Sequence, residues 1–383
     1  MRHTIRFIAA ACLLTAASAS AQTPPKTPPQ VMEPGVKYED LPLRAVGRVT
    51  GDGRQQWPGV YFEGAFTGGG ANIQLSDPVN AYNIYLDGDL VSHISPRPHL
   101  TTRVQSWTPG RHVVRIEKAS ESQGSDAPLP TAYVTQRPAP TGLGPVDNSL
   151  EDNHPLPPPP ARPRQIEFIG DSYTVGYGNT SGKRQCTGDE IQATTDTSKA
   201  FGPLTAKHYN ADYQINAYSG RGIVRNWDGG AGVPMPVLYP YALFDGKTLP
   251  APTAWTPQVI VIGLGTNDFS TQLHTGEKWP TRDALHADYE ATYVKFVQDL
   301  RTKNPKAFFI LMASDQMDGE FQAEVKKVIA SLQAQGESRI AFVGFSGLDY
   351  MACNWHPSTA DDGLISQNII AFIDAHPELW QGK

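Results

Sequence analysis

Ser172, Asn267 and His356 are residue types that together can transfer an acyl group, and the chain sets each of them in a context suited to chemistry. Ser172 follows the apolar run Ile166-Glu167-Phe168-Ile169 and lies in Gly170-Asp171-Ser172-Tyr173-Thr174-Val175-Gly176-Tyr177-Gly178. A short strand there delivers a serine into a glycine-rich turn just where a helix should begin. Glycines before and after the serine let the backbone turn sharply, and the first free N–H groups of the helix can stabilise negative charge on an attacked carbonyl. Alone, Gly-Asp-Ser also reads as an ordinary helix cap. Two later segments argue for more. Ile260-Val261-Ile262-Gly263-Leu264-Gly265-Thr266-Asn267-Asp268 is again a buried-type strand running into a glycine-rich turn, and it ends in an amide suited to donating a hydrogen bond. Asn354-Trp355-His356-Pro357-Ser358 supplies a histidine just before a C-terminal helix. A serine alcohol is a poor nucleophile at neutral pH, so it needs such a base within hydrogen-bond reach.

The elements that must position these residues fall into two domains. The chain has 383 residues, 39% apolar and 18% charged, enough for two soluble globular units. Met1 to Ala21 has a basic start, an apolar stretch from Phe7 to Ala17 and an Ala19-Ser20-Ala21 cleavage pattern, so residues 1–21 read as a signal peptide and the protein as secreted or periplasmic. The apolar stretch is well short of the ~20 residues a spanning helix needs, so no membrane insertion is expected. Cys12 sits in a poor lipoprotein context. Taking Arg2 and Arg6 off the 32 basic residues leaves 30 against 38 acidic ones, a formal −8 with no long basic run, which argues against nucleic acid and anionic membranes as partners. Cys186 and Cys353 remain, and in an oxidising compartment a disulfide between them is the parsimonious expectation, two free buried thiols the alternative.

Residues 22–36 read as a proline-rich spacer. From 37 to 140 short alternating strands recur, at Tyr61 to Phe66, Ala71 to Leu75, Tyr82 to Leu86 and Arg111 to Glu117, with Asp87-Gly88 as a hairpin signal. That pattern predicts a β-sandwich. Residues 141–164 carry Pro155, Pro157 to Pro160 and Pro163, and are expected to form a linker that enters no sheet and no helix. From 165 to 383 strands near Ile166, Tyr213, Val259, Phe308 and Ile340 alternate with helices over Phe201 to Asn210, Ala284 to Thr302, Gly319 to Gln335 and Asp361 to Ala375. Such alternation predicts a parallel sheet flanked by helices, with chemistry at the strands' C-terminal ends.

In their order along the chain the motifs resemble the SGNH (GDSL-type) hydrolase superfamily, over roughly the last 220 residues. The resemblance implies Ser172 as nucleophile and His356 as base. The oxyanion donors it implies are the Ser172 N–H, Gly220 in Ile215-Asn216-Ala217-Tyr218-Ser219-Gly220, and Asn267, with Gly222 a competing match for the glycine. Trp57-Pro58-Gly59 with Phe62-Glu63-Gly64, the Asn83 to Gly88 hairpin, and Gly110-Arg111-His112-Val113-Val114 are similar to the N-terminal jelly roll of carbohydrate esterase family 2. Gln165 to Ser172 and Trp355-His356-Pro357-Ser358 fit that family too. It implies a serine esterase that removes acetyl groups from plant-wall polysaccharides such as xylan or glucomannan, often at sugar O6.

The departure from pattern concerns the third catalytic member. Where most superfamily members carry Asp, three residues before the histidine, this chain has Cys353, and where many family 2 sequences carry one, two residues before, it has Asn354. A Ser–His dyad follows, with a neutral amide or a main-chain carbonyl orienting the ring. Asp349, Asp361 and Asp362 read better as loop and helix-start acids. The resemblance suggests Trp355 as a sugar-stacking residue; Tyr177 and Trp227 could stack as well, though core packing is the plainer reading for them. No His-x-x-x-His or Cys-x-x-Cys spacing and no phosphate loop appears, so no metal and no cofactor are expected. The competing functions are a lipase or thioesterase of the same superfamily, which should show an apolar lid or acyl channel, and a carbohydrate-binding protein with a decayed esterase domain. A monomer is expected.

Overall fold

The computed structural model describes residues 35–136 and 153–381. The signal-peptide expectation, most of the spacer and the first part of the linker lie outside the described residues.

The first domain is a sandwich of two antiparallel sheets. One runs in the order Lys37–Asp40, Thr131–Gln136, Gly70–Asp77, Arg97–Gln105. The other runs His154–Leu156, Tyr61–Thr67, Arg111–Lys118, Tyr82–Leu86, Asp89–Ile94, with Arg44–Val46 also paired to Tyr61–Thr67. Phe62, Phe66, Ile73, Ile84, Val114 and Ile116 fill the space between the sheets and are almost wholly buried. The Asp87-Gly88 turn joins its two strands with Leu86 opposite Asp89, and both turn residues have positive φ, +53° and +98°. That mirror-image turn matches the right-handed twist of the strands, which is why a glycine is needed there.

The linker departs from expectation. His154–Leu156 pairs antiparallel with the end of Tyr61–Thr67, His154 opposite Thr67 and Leu156 opposite Ala65. The prolines do not prevent this because the segment is an edge strand, where a missing N–H need not break a ladder. Asn153 fastens it further, accepting from the Gly70 N–H and donating to the Thr135 carbonyl, at 2.8 and 2.7 Å.

In the second domain five parallel strands lie in the order Asp212–Ala217, Gln165–Gly170, Val259–Gly263, Phe308–Ser314, Ile340–Phe345. The first strand in sequence is thus flanked by the second and the third. The chain leaves it to opposite sides, which makes the crevice beyond its C-terminal end a topological switch point. Helices Phe201–His208 and Thr359–Asp374 pack together on one face, and Arg282–Lys303 packs with Glu320–Ala334 on the other. Strands covered on both faces are mostly apolar, as at Ile166, Phe168, Ile260, Ile262, Phe309 and Leu311.

The two domains meet along the edge strand Asp212–Ala217, from its start to the turn just past its end. Asp212, at the start of its strand, takes Arg44 at 2.8 Å, Arg162 at 2.7 Å and the Tyr61 hydroxyl at 2.7 Å. Arg162 also reaches Glu63 at 2.7 Å. A continuous apolar core runs through the junction, where Trp57 packs edge-on against Phe244 and donates to the Tyr241 carbonyl at 2.9 Å.

Candidate active site

Ser172 is the first residue of a four-residue helix, Ser172–Val175, that starts directly after the Gln165–Gly170 strand. Asp171 caps it, its carboxylate accepting the Tyr173 N–H at 3.1 Å. A residue at a helix start has no intrahelical acceptor for its N–H, so the Ser172 amide is left without a helical partner. Asn267 follows the neighbouring Val259–Gly263 strand as the second residue of the short helix Thr266–Phe269. Two adjacent strand ends therefore set the serine and the amide side by side. A hydrogen bond of 3.1 Å from Asn267 Nδ2 to Asp171 Oδ2 ties them together.

His356 closes the arrangement. Its Nε2 lies 2.8 Å from Ser172 Oγ. Its Nδ1 lies 2.9 Å from the Cys353 carbonyl and 3.2 Å from the Asn354 carbonyl. Both are pure acceptors, so Nδ1 carries the proton and Nε2 is left bare to receive one from the serine. The ring is covered by Tyr177, whose centroid is 4.3 Å away, and meets Tyr173 edge-on. With no carboxylate beside it, burial depresses the imidazole to about 4, against the pull of the two carbonyls.

The orienting group is thus the main chain. The Asn354 side chain instead donates to the Tyr177 hydroxyl at 3.2 Å. Asp349 accepts the Met351 N–H at 2.9 Å. Asp361 caps the Thr359–Asp374 helix and accepts from Asp349 and Tyr350. Asp362 is buried against Asn179 and the Phe201 N–H. These acids hold the loop and bond no atom of the imidazole.

The loop itself is unusual. Tyr350, Asn354 and Trp355 all have positive φ, at +51°, +52° and +58°, a region bulky side chains enter at a cost. Its braces are external. A disulfide joins Cys353 to Cys186, Asn354 donates its N–H to the Arg184 carbonyl at 2.6 Å, and the Arg184 guanidinium donates to the Asp349 and Tyr350 carbonyls at 2.7 and 2.9 Å. Trp355 is 56% exposed and Trp227 59%, so neither is a core residue, whereas Tyr177 packs on the histidine.

Gly220 and Gly222 separate clearly. Gly222 donates its N–H to Asn226 Oδ1 at 3.4 Å, and a Cβ there would stand 2.1 Å from the Arg225 carbonyl oxygen. It is a packing glycine. Gly220 has φ +81° and open space where a Cβ would go, and its N–H has no protein acceptor among the described residues. Asn267 is more occupied: its Nδ2 also donates to the Arg221 carbonyl at 3.0 Å.

Sequence reasoning missed the acids beneath the site. Asp268 accepts the N–H groups of Ile223, Val224 and Arg225, each at 2.9 Å, and so fixes the loop that follows Gly220. Burial pushes it up to about 6 and Asp171 up to about 7, the latter also under the field of Asp268. Both residues were in view as neighbours of motif residues, but a carboxylate that works by receiving main-chain N–H groups leaves no spacing signature. Arg184 carried no signal at all.

A parallel sheet with serine, amide and histidine gathered past its strand ends defines a hydrolase of the GDSL-like kind. Residues 168–378 match the GDSL-like lipase/acylhydrolase family and residues 45–138 the carbohydrate esterase 2 N-terminal domain. The chain is 44% identical to an acetylxylan esterase / glucomannan deacetylase of Cellvibrio japonicus, aligned over 89% of this chain and 92% of that protein. Among solved structures it is similar to a carbohydrate esterase described for divergent catalytic and non-catalytic binding functions of its active site, with TM-score 0.78 and 43% identity over 89% of this chain and all of that one. A carbohydrate esterase family 2 enzyme of Myceliophthora fergusii matches with TM-score 0.68 and 29% identity, over 87% and 98% of the two chains. The chain belongs to carbohydrate esterase family 2 and is a carboxylic ester hydrolase.

Proposed function

We propose that the enzyme removes O-acetyl groups, those at sugar O6 among them, from plant-wall polysaccharides such as xylan or glucomannan or from their oligosaccharides. It acts outside the cytoplasm and works through an acyl-enzyme on Ser172. The observation that carries the mechanism is the 2.8 Å contact from His356 Nε2 to Ser172 Oγ, with Nδ1 fixed by carbonyls. Ser172 Oγ attacks the acetyl carbonyl and gives its proton to Nε2. The tetrahedral intermediate collapses, the bond to the sugar oxygen breaks, and His356 returns the proton to that oxygen. Water then repeats the cycle and releases acetate. The oxyanion is received by the N–H groups of Ser172 and Gly220 and by Asn267, whose proton is shared with the Arg221 carbonyl. Each good donor is worth roughly 3 kcal/mol of barrier.

A short acyl group suits the surroundings. The apolar cavity of about 460 Å³ is lined by Leu43, Phe62, Pro158, Gln165, Asp212 and Trp255. It sits at the N-terminal ends of the strands, whereas Ser172 lies beyond their C-terminal ends, so it offers no acyl channel to the serine. The exposed Trp355 beside the histidine offers a face for a sugar ring. The relative's activity on acetylxylan and glucomannan supports the substrate class. The Cys186–Cys353 bridge supports an exported, oxidised protein. Acetate release from acetylated xylan, glucomannan and simple sugar acetates, beside longer-chain esters, tests the proposal. Faster cleavage of long acyl chains would reject it.

A further inference from the structure

Gly220 owes its setting to a residue of the other domain. Glu121 lies three residues past the Arg111–Lys118 strand of the sandwich, and its Oε1 accepts the N–H of Ser219 at 2.7 Å. Its Oε2 accepts from Gln123 at 3.1 Å. The segment that carries it is firmly held. The buried Lys118 ammonium donates to Gln55, the Gln56 carbonyl and Ser122 at 3.0, 2.8 and 2.6 Å. Ala119 donates to the Ala81 carbonyl at 2.8 Å, and Thr197 of the hydrolase domain donates to the Ala119 carbonyl at 2.7 Å.

The turn that Glu121 touches is anchored on each side of Gly220. Arg221 N–H donates to the Tyr218 carbonyl at 3.2 Å and Trp227 N–H to the Gly220 carbonyl at 3.0 Å. Asn267 takes the Arg221 carbonyl. Of the amide N–H groups of Ser219, Gly220 and Arg221, only that of Gly220 has no acceptor among the described residues. Ser219 N–H is the amide next to it, and nothing in the hydrolase domain accepts it. Without Glu121 the turn would have two free N–H groups and fewer constraints on where either points.

We propose that Glu121 is a positioning residue for the oxyanion turn, so that the sandwich supplies part of the catalytic geometry of the hydrolase domain. The inference rests on the mechanism above, in which Gly220 N–H receives the oxyanion. Glu121 accepts the Ser219 N–H and leaves that of Gly220 free, so it orients the turn without occupying the oxyanion donor. The role needs an acceptor oxygen rather than a charge, and a glutamine amide oxygen supplies one.

Kinetics of Glu121→Ala and Glu121→Gln on a sugar acetate test this, with Ser172 titrated by an organophosphonate to count intact sites. Expected is a loss of about 10-fold in kcat for Glu121→Ala with KM unchanged, smaller than the loss from deleting a donor outright, and recovery of most of it in Glu121→Gln. The combination with Asn267→Ala should be less than multiplicative, since both act on one hole. Wild-type kcat in Glu121→Ala, an equal loss in Glu121→Gln, or a loss that tracks the titratable serine would overturn the proposal. An active Ser172→Ala would instead remove the mechanism beneath it, which separates the two failures.

Discussion

Ser172 and His356 meet at 2.8 Å, yet the protein holds them by different means. The serine sits two residues beyond Gly170, the last residue of a buried strand that is paired on both sides, and that pairing fixes it. The histidine hangs from a loop with positive-φ residues before and within a single helical turn, kept in place by a disulfide, an arginine and main-chain contacts. A position set by a sheet is lost only when the domain unfolds. A position set by braces can be lost one brace at a time, while the rest of the fold stays intact.

The largest effect should come from the reacting pair. Ser172→Ala is expected to lower turnover by on the order of 10⁴-fold or more with an unchanged circular dichroism spectrum, and His356→Ala nearly as much. Retained activity in either would break the comparison at its root. Asn267→Ala, on the sheet-held side, should cost about 100-fold in kcat with little change in KM. A defect confined to KM would make Asn267 a substrate ligand instead.

The histidine side should respond to its braces. The Cys186–Cys353 bridge spans 167 residues of sequence, and the loop-entropy account gives it about 5 kcal/mol. Reduction should therefore lower the denaturation midpoint. It should also depress kcat before the sheet melts, because Cys353 carries the carbonyl that orients Nδ1; equal losses of activity and sheet signal along a reductant titration would count against that role. The pH profile should change more gently. Burial lowers the imidazole to about 4, so the neutral base persists as pH falls below the usual histidine value near 6.5, and the acid limb of kcat/KM should fall near pH 4. A limb at 6 or above would mean that the ring is wetter or paired with an acid. The smallest effect is assigned to Asn354→Ala, within about threefold of wild-type turnover, because the side chain touches Tyr177 and not the ring. A large loss there would return the orienting role to the side chain.

Much of the sheet-held half was legible in the sequence. The helix expected over Ala284 to Thr302 spans Arg282–Lys303, and the strand expected from Tyr82 to Leu86 has those bounds, since periodic burial writes itself into residue order. Ser172 and Asn267 were legible for the same reason, each following an apolar run into a glycine turn. The histidine's partner was legible only as a choice between the Asn354 amide and a main-chain carbonyl near Cys353, because a carbonyl has no residue identity to read. Glu121 was invisible for another reason: its target lies 98 positions away, across a domain boundary. The linker misled because its prolines forbid a central strand and say nothing against an edge.

Asp212 and Glu63 are each about 1% exposed, and both are answered by arginines that come from before residue 165. A fragment starting there would keep Asp212 while Arg44, Arg162 and Tyr61 were gone, leaving a carboxylate set in apolar ground to draw in water. Gene shuffling that moved the catalytic half alone would thus carry a wound along one flank of its sheet. The transferable unit is the pair, and a working chimaera must import both lips of the joint together.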